Sequence, residues 1–292
     1  MSYTLSDLLV DALIELGQLN AGEATGGSNA IIYDSTKNGT GRDNSWRGGT
    51  VFIWETTDGL APQGEFARIS SSTAATFSLS FPALSAAVDA GDKYGFAGVE
   101  YTKAQLVMMA NKALKKWGDL DQVDTTLSTS SSVAGYDASA EWDRPYGPSR
   151  VDVARTATAY DEGWIEVFDW YFEPGVAGST GKIYFKTYPY SGQAIRVWYH
   201  APHPRVTTFD DVIDGRIQPE AIVQALVTEA LDYNNTKIRG GDKFLIQRQN
   251  KAEEDYFTAK MNAPRTRKSK RPKLLIIGER LGRYPGDRSP RD

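Results

Sequence analysis

The apolar period of this chain switches twice in its first 118 residues, from helical to strand-like and back, and that switch constrains the fold most. Leu5, Leu8, Leu9, Ala12, Leu13, Leu16 and Leu19 recur at three and four, the spacing of an amphipathic helix. Thr4 with Asp7 supplies a capping signal, and Gly17 falls near the helix end. From Ile31 the runs shorten and turn β-rich: Ile31–Tyr33, Thr50–Thr57, Glu65–Ser70, Thr76–Phe81 and Lys93–Val99. Turn clusters separate them, among them Lys37-Asn38-Gly39, Asp58-Gly59 and Ala90-Gly91-Asp92. Helical spacing returns after Thr102 with Leu106, Met109, Ala110, Ala113, Leu114 and Trp117, and Gly118 stops it. Neither helix buries its stripe alone. The two are therefore expected to pack together, with residues 22–99 inserted between them as a small barrel or sandwich.

Residues 119–160 are rich in Asp, Ser, Thr and Ala with little periodicity, and read as a linker or irregular arm. A second β set follows at Gly163–Phe172, Gly181–Thr187 and Ala194–Tyr199, separated by Pro174-Gly175 and Ser191-Gly192, which suggests an antiparallel meander. Pro219 then opens a third helix with the stripe Ile222, Val223, Leu226, Val227, Ala230 and Leu231. Gly240-Gly241 break it, and Asp242 caps a largely polar fourth helix whose one continuous stripe is Leu245, Ala252, Tyr256 and Ala259. The expected fold is α+β: a helical bundle from residues 1–21, 100–118 and 216–262, the inserted β domain, the 119–160 linker, a β-meander at 161–207 and an extended C-terminal arm at 263–292.

Charge is divided as unevenly as the apolar pattern. The formal net charge is −4, yet residues 260–292 hold eleven Lys/Arg against three acids, a net of +8 that leaves −12 on residues 1–259. Six cations lie between Arg265 and Lys273, and Pro264 and Pro272 interrupt any helix there. The apolar run Leu274-Leu275-Ile276-Ile277 follows, with strand character that calls for cover. Arg265, Arg267, Lys268, Lys270, Arg271, Lys273, Leu274, Leu275, Ile276 and Ile277 are therefore the candidate partner-binding residues, a docking arm held by another chain. The acidic body argues against a dedicated nucleic-acid binder, which would carry a basic face in its folded part. The first nineteen residues lack a basic n-region and carry acids, unlike a secretory signal, and no apolar run approaches a membrane span. The absence of cysteine fits a reducing compartment and equally any protein that needs no disulfide staples.

Chemistry-bearing constellations are sparse. His200 and His203 stand in YHAPHP, where Pro202 and Pro204 exclude the helix that an HxxH zinc pair requires, so no metal is assigned. No nucleophile elbow or phosphate-cradling loop occurs, and no cofactor is assigned. Asp119/Asp121/Asp124, Asp210/Asp211/Asp214 and Glu162/Glu166 could serve as paired carboxylates. All sit at element ends, where Asp caps and turns in any case, so no catalytic residue is assigned. Trp46, Trp54, Trp164, Trp170 and Trp198 offer stacking surfaces for a sugar, although alternation buries about half of strand aromatics.

The order of elements carries a resemblance. A short N-terminal helix (Leu5–Leu19) precedes a helix ending NKALKKWG (Asn111–Gly118), then KIYFKTYPYSGQAIRVWYHAPHP from Lys182, DDVIDGRIQPEAIVQALVTEAL from Asp210, and QRQNKAEEDYFTAKM from Gln247. This series resembles the head-to-tail adaptor proteins of tailed bacteriophages, and Ala74–Ala97 is similar to β modules of phage structural proteins. The insertion at 22–99 departs from the minimal adaptor pattern. The resemblance implies a non-enzymatic virion protein of the neck, present in host cytoplasm during assembly. It would form a ring of twelve copies under the portal protein, join a tail or nozzle protein below, and pass double-stranded DNA without reading its sequence. An acidic ring suits that passage because it repels DNA from the wall. The competing expectation is a receptor- or carbohydrate-binding tail or baseplate component.

Overall fold

The computed structural model describes residues 2–130, 133, 135–138, 147–154, 163–175, 179–186, 192–237 and 242–263. Helix α1 (Leu5–Glu15) starts at Thr4, whose side chain accepts from the Asp7 amide while the Asp7 carboxylate accepts from the Thr4 amide. Eight strands follow: β1 (Asn20–Glu23), β2 (Gly26–Ser28), β3 (Ile31–Tyr33), β4 (Thr50–Glu55), β5 (Phe66–Arg68), β6 (Ser71–Thr73), β7 (Ser78–Ser80) and β8 (Lys93–Ala97). Helix α2 (Lys103–Trp117) repeats the capping box with Thr102 and Gln105, and Gly118 at φ 104° ends it. Strands β9 (Asp119–Asp124), β10 (Gly135–Asp137), β11 (Pro148–Ala154), β12 (Trp164–Val167), β13 (Trp170–Glu173), β14 (Lys182–Phe185) and β15 (Ile195–Pro202) come next. The described chain closes with α3 (Pro219–Lys237) and α4 (Lys243–Asn262), the latter capped by the Asp242 side chain accepting from Phe244 N.

The strands form four antiparallel sheets, ordered β1-β8-β4-β5, β2-β3-β7-β6, β12-β11-β15-β9 and β10-β14-β13. The first two enclose one core of Ile32, Val51, Ile53, Ile69, Leu79, Val88, Tyr94 and Phe96. Strand alternation then sets what lies on the other face of the first sheet. Val51 and Ile53 of β4 point into that sandwich, whereas Phe52 between them, with Phe66 and Ala97, joins the core beneath the helices. That second core gathers Leu5, Leu8, Leu9 and Leu13 from α1, Leu106 and Leu114 from α2, Ile222, Leu226 and Leu231 from α3, and Ala252 and Tyr256 from α4. The last two sheets enclose a third core containing Tyr136, Val151, Val153, Ile183, Phe185, Ile195, Val197 and Tyr199.

This arrangement corrects the expected fold class. Among the described residues the molecule is mostly β, with four sheets of three or four strands against four helices, and its core is not a helical bundle. Two findings overturn the bundle. The helices bury their apolar faces against Phe52, Phe66 and Ala97 of the first sheet as well as against one another, so that sheet is a wall common to two cores. Residues 119–160, expected to be irregular, contribute β9, β10 and β11 among those described. The meander also resolves differently: β13 pairs with β14, but β15 pairs with β11 and β9, and β12 pairs with β11. A second sandwich results, because β11 supplies the central partner that the Asp/Ser-rich composition of its neighbourhood concealed. The arm from residue 264 onward lies outside the described residues.

Candidate functional site

All ten expected partner-binding residues, Arg265 through Ile277, fall outside the described residues, so the site is built from the body that would present them. Three features on that body stand out. They are the outer face of the β12-β11-β15-β9 sheet, the polar cleft at its β9 edge, and the solvent side of α4.

On β15, alternation sends Ile195, Val197, Tyr199 and Ala201 into the core and leaves Arg196, Trp198 and His200 on the outer face. Cross-strand pairing sets Asp152 opposite both Arg196 and Glu166, and Arg150 opposite Trp198. The Asp152 side chain is fully buried and acts as the hub: Oδ1 accepts from Arg150 Nε at 2.6 Å and Oδ2 from Trp198 Nε1 at 2.8 Å. Arg150 also lies 3.8 Å from Glu166. The Arg196 guanidinium sits 4.0 Å from the Trp164 ring centroid and 5.9 Å from that of Trp198. Trp164 Nε1 is buried with no acceptor among the described residues. The face is thus a set of tryptophans fixed by arginines and a buried carboxylate, which is pre-organisation of the kind that contact surfaces use.

At the β9 edge, His200 Nδ1 donates to Asp121 Oδ1 at 2.7 Å. His203 Nδ1 lies 2.7 Å from the Pro204 carbonyl, which only accepts, so this nitrogen carries the proton; Nε2 accepts from the Asp214 amide at 3.0 Å. Arg216 reaches both the Asp214 carboxylate and the Asp121 carbonyl. The hydrogen bonds from Arg216 hold the Asp214 carboxyl below its ordinary range. The Thr208 and Thr207 amides and the Thr208 hydroxyl do the same for Asp211. Gln122, His203, Arg205, Asp211 and Asp214 line an open cleft of about 260 Å³. His203 and two of the three acids of the Asp210/Asp211/Asp214 set are therefore engaged in holding the turn between β15 and α3, while His200 ties β15 to β9. Among the described residues no three His, Asp or Glu side chains converge as metal ligands.

The other expected residues are scattered. Asp119 and Asp124 sit at the two ends of β9, Asp124 accepting from the Thr126 amide at 2.8 Å and hydroxyl at 2.7 Å. Glu162 lies outside the described residues. Of the tryptophans, Trp46 packs edge-on to Phe96 at 4.7 Å, and Trp170 packs against the core of the second sandwich. Only Trp164 and Trp198 share a face.

Sequence reasoning missed the solvent side of α4. Ile246, Phe257 and Met261 are 42%, 51% and 71% exposed, and Phe244 is 67% exposed. The signal was present: at about 100° per residue the first three fall in one narrow sector, away from Leu245, Ala252, Tyr256 and Ala259. The stripe facing the core hid it, because a polar helix with one apolar face already satisfies the globular pattern. The far end of α4 is pinned, with Lys260 Nζ donating to the Trp117 carbonyl at 2.7 Å and to Tyr256 Oη at 3.1 Å, and burial lowers the Lys260 ammonium from its ordinary value.

No protein-family model and no curated protein matches this sequence. No helix among the described residues is long and apolar enough to cross a membrane.

Proposed function

We propose that this chain is a structural subunit of a tailed-phage virion, a head-to-tail adaptor. It assembles as a ring, expected to hold twelve copies, beneath the portal and passes double-stranded DNA through its centre without base contacts. The observation that carries this reading is that the body presents two unlike contact surfaces: the Arg/Trp sheet face and the apolar solvent side of α4. A closed ring built from head-to-tail contacts needs two different patches on each subunit, whereas a two-fold dimer needs only one self-complementary patch. The division of charge adds support, since an acidic body lets DNA slide and a basic arm at Arg265–Lys273 suits capture of an acidic partner surface. In this reading Arg265–Ile277 dock on the portal by charge pairing and by strand addition of Leu274–Ile277. The test is deletion of residues 264–292. A folded body that no longer joins heads to tails is expected, and full particles assembled from the truncated chain would refute the docking.

A carbohydrate-binding tail component is the second reading, favoured by Trp164 and Trp198 on one open face. Against it, the Arg196 guanidinium already occupies the Trp164 ring at 4.0 Å, the position a sugar would need. Substituting Trp198→Ala and screening a glycan panel separates the two, because the adaptor reading expects no glycan bound by either chain.

A further inference from the structure

Helix α4 carries a second apolar stripe, and its surroundings specify what covers it. Ile246, Phe257 and Met261 fall within a sector of about 60°, shared with Lys243 at its start and Asn250 midway, with Glu253 bordering one side and the exposed Glu254 the other. Glu253 keeps a long contact to Lys116 at 3.5 Å, with its side chain 45% exposed. A stripe with acids on both margins fits an occupant that is cationic beside the glutamates and apolar where it meets Ile246. A second copy of α4 is a poor occupant. In antiparallel pairing the mid-helix Glu253 and Glu254 would face their own counterparts, and like charges so placed repel.

The chain itself supplies a segment of the required chemistry, directly downstream. Ala263 leaves the helix in an extended conformation, φ −56° and ψ 134°, and Pro264 prevents the helix from resuming. Arg265, Arg267, Lys268, Lys270, Arg271 and Lys273 follow, and then Leu274–Ile277. Leu274 is eleven residues beyond Ala263, a reach of up to ~36 Å when extended. Met261 to Ile246 spans only ~22 Å along the helix axis. The surplus is enough to reverse direction and run back along α4. That register sets the Arg/Lys run beside Glu253 and Glu254 and brings the apolar run to the start of the stripe.

We propose that Arg265–Ile277 dock on the solvent-side stripe of their own α4, cations against Glu253 and Glu254 and Leu274–Ile277 against Ile246. A short tether holds the two sites at a millimolar effective concentration, which favours the subunit's own helix over a neighbour's at micromolar protein. The docked arm keeps an aggregation-prone four-residue apolar run covered until a partner displaces it. The proposal goes beyond the adaptor reading and does not depend on it, because it concerns the isolated chain.

The chain has no cysteine, so paired cysteine variants of the full-length protein report proximity. Ile246→Cys with Leu275→Cys, treated with a short bis-maleimide at micromolar concentration, is expected to give intrachain product in roughly hundredfold excess over interchain product. Val99→Cys with Leu275→Cys, at a 53% exposed site in the β region, is the comparison and is expected to remain unlinked within the chain. Adding Glu253→Lys and Glu254→Lys to the first pair should cut linking about tenfold by turning attraction into repulsion. Equal linking from Ile246 and Val99, or none from Ile246, overturns the docking. A product that joins two chains overturns the assignment to the subunit's own helix and gives the stripe to a second copy. Both substituted body positions are exposed, so misfolding does not mimic either result, and particle assembly does not enter the test.

Discussion

Asp152 shows how a single residue fixes a surface. Its buried carboxylate orients Arg150 and Trp198 together, so removing it leaves the Trp198 indole N–H without its acceptor and Arg150 without its nearest anion. Asp152→Ala is expected to destabilise the fold by about 2–3 kcal/mol in denaturant unfolding, and Asp152→Asn by less, because an amide oxygen still accepts. Asp211 and Asp214 bear on pH. Hydrogen bonds from Thr208 and Thr207, and from Arg216, favour the ionised carboxylates in the folded chain. Their contribution is therefore complete above the unfolded carboxylate value, about 3.9, and is lost as pH falls through the lower folded values. The unfolding midpoint is expected to drop on acidification below about pH 4, and Asp214→Asn is expected to flatten that drop. At this scale the sequence was partly legible. The reading that acids at element ends cap and turn describes Asp211 and Asp214, whereas nothing in the spacing of Asp152, Arg150 and Trp198 announces a cross-strand hub. Residues 150 and 198 meet only once β11 is recognised as a strand.

The elements were legible wherever one face alone had to be buried. The stripes of α1, α2 and α3 and the caps Thr4 and Asp242 follow directly from periodicity and side-chain chemistry. Thr4→Ala should cost about 1 kcal/mol, measured as a loss of global stability, because α1 packs into the central core. Strands β9 to β11 were not legible, since Asp- and Ser-rich runs carry low β propensity and gain their strand conformation from pairing, β9 and β11 with β15 and β10 with β14. β4 tests the corrected architecture. Phe52 points to the helical core while Val51 and Ile53 point to the first sandwich, so one strand stabilises both. Phe52→Ala is expected to cost about 3–5 kcal/mol and to lower the helical and β transitions together. A helical signal that melts early while the first sandwich stays intact would contradict the common wall.

At the scale of the whole molecule, the expected bundle failed for a physical reason. Helical periodicity reports that a face is buried but not what buries it, and here a sheet does so alongside the other helices. The charge division between body and arm survives that correction because it belongs to composition alone. The adaptor account needs the body to close a ring through unlike surfaces while the arm engages a partner above it. The measurement that tests this most directly is the copy number and symmetry of the chain in assembled particles, imaged without imposed symmetry. The account expects twelve copies in a closed ring between head and tail. A trimer at the tail tip, or an isolated monomer, would contradict it.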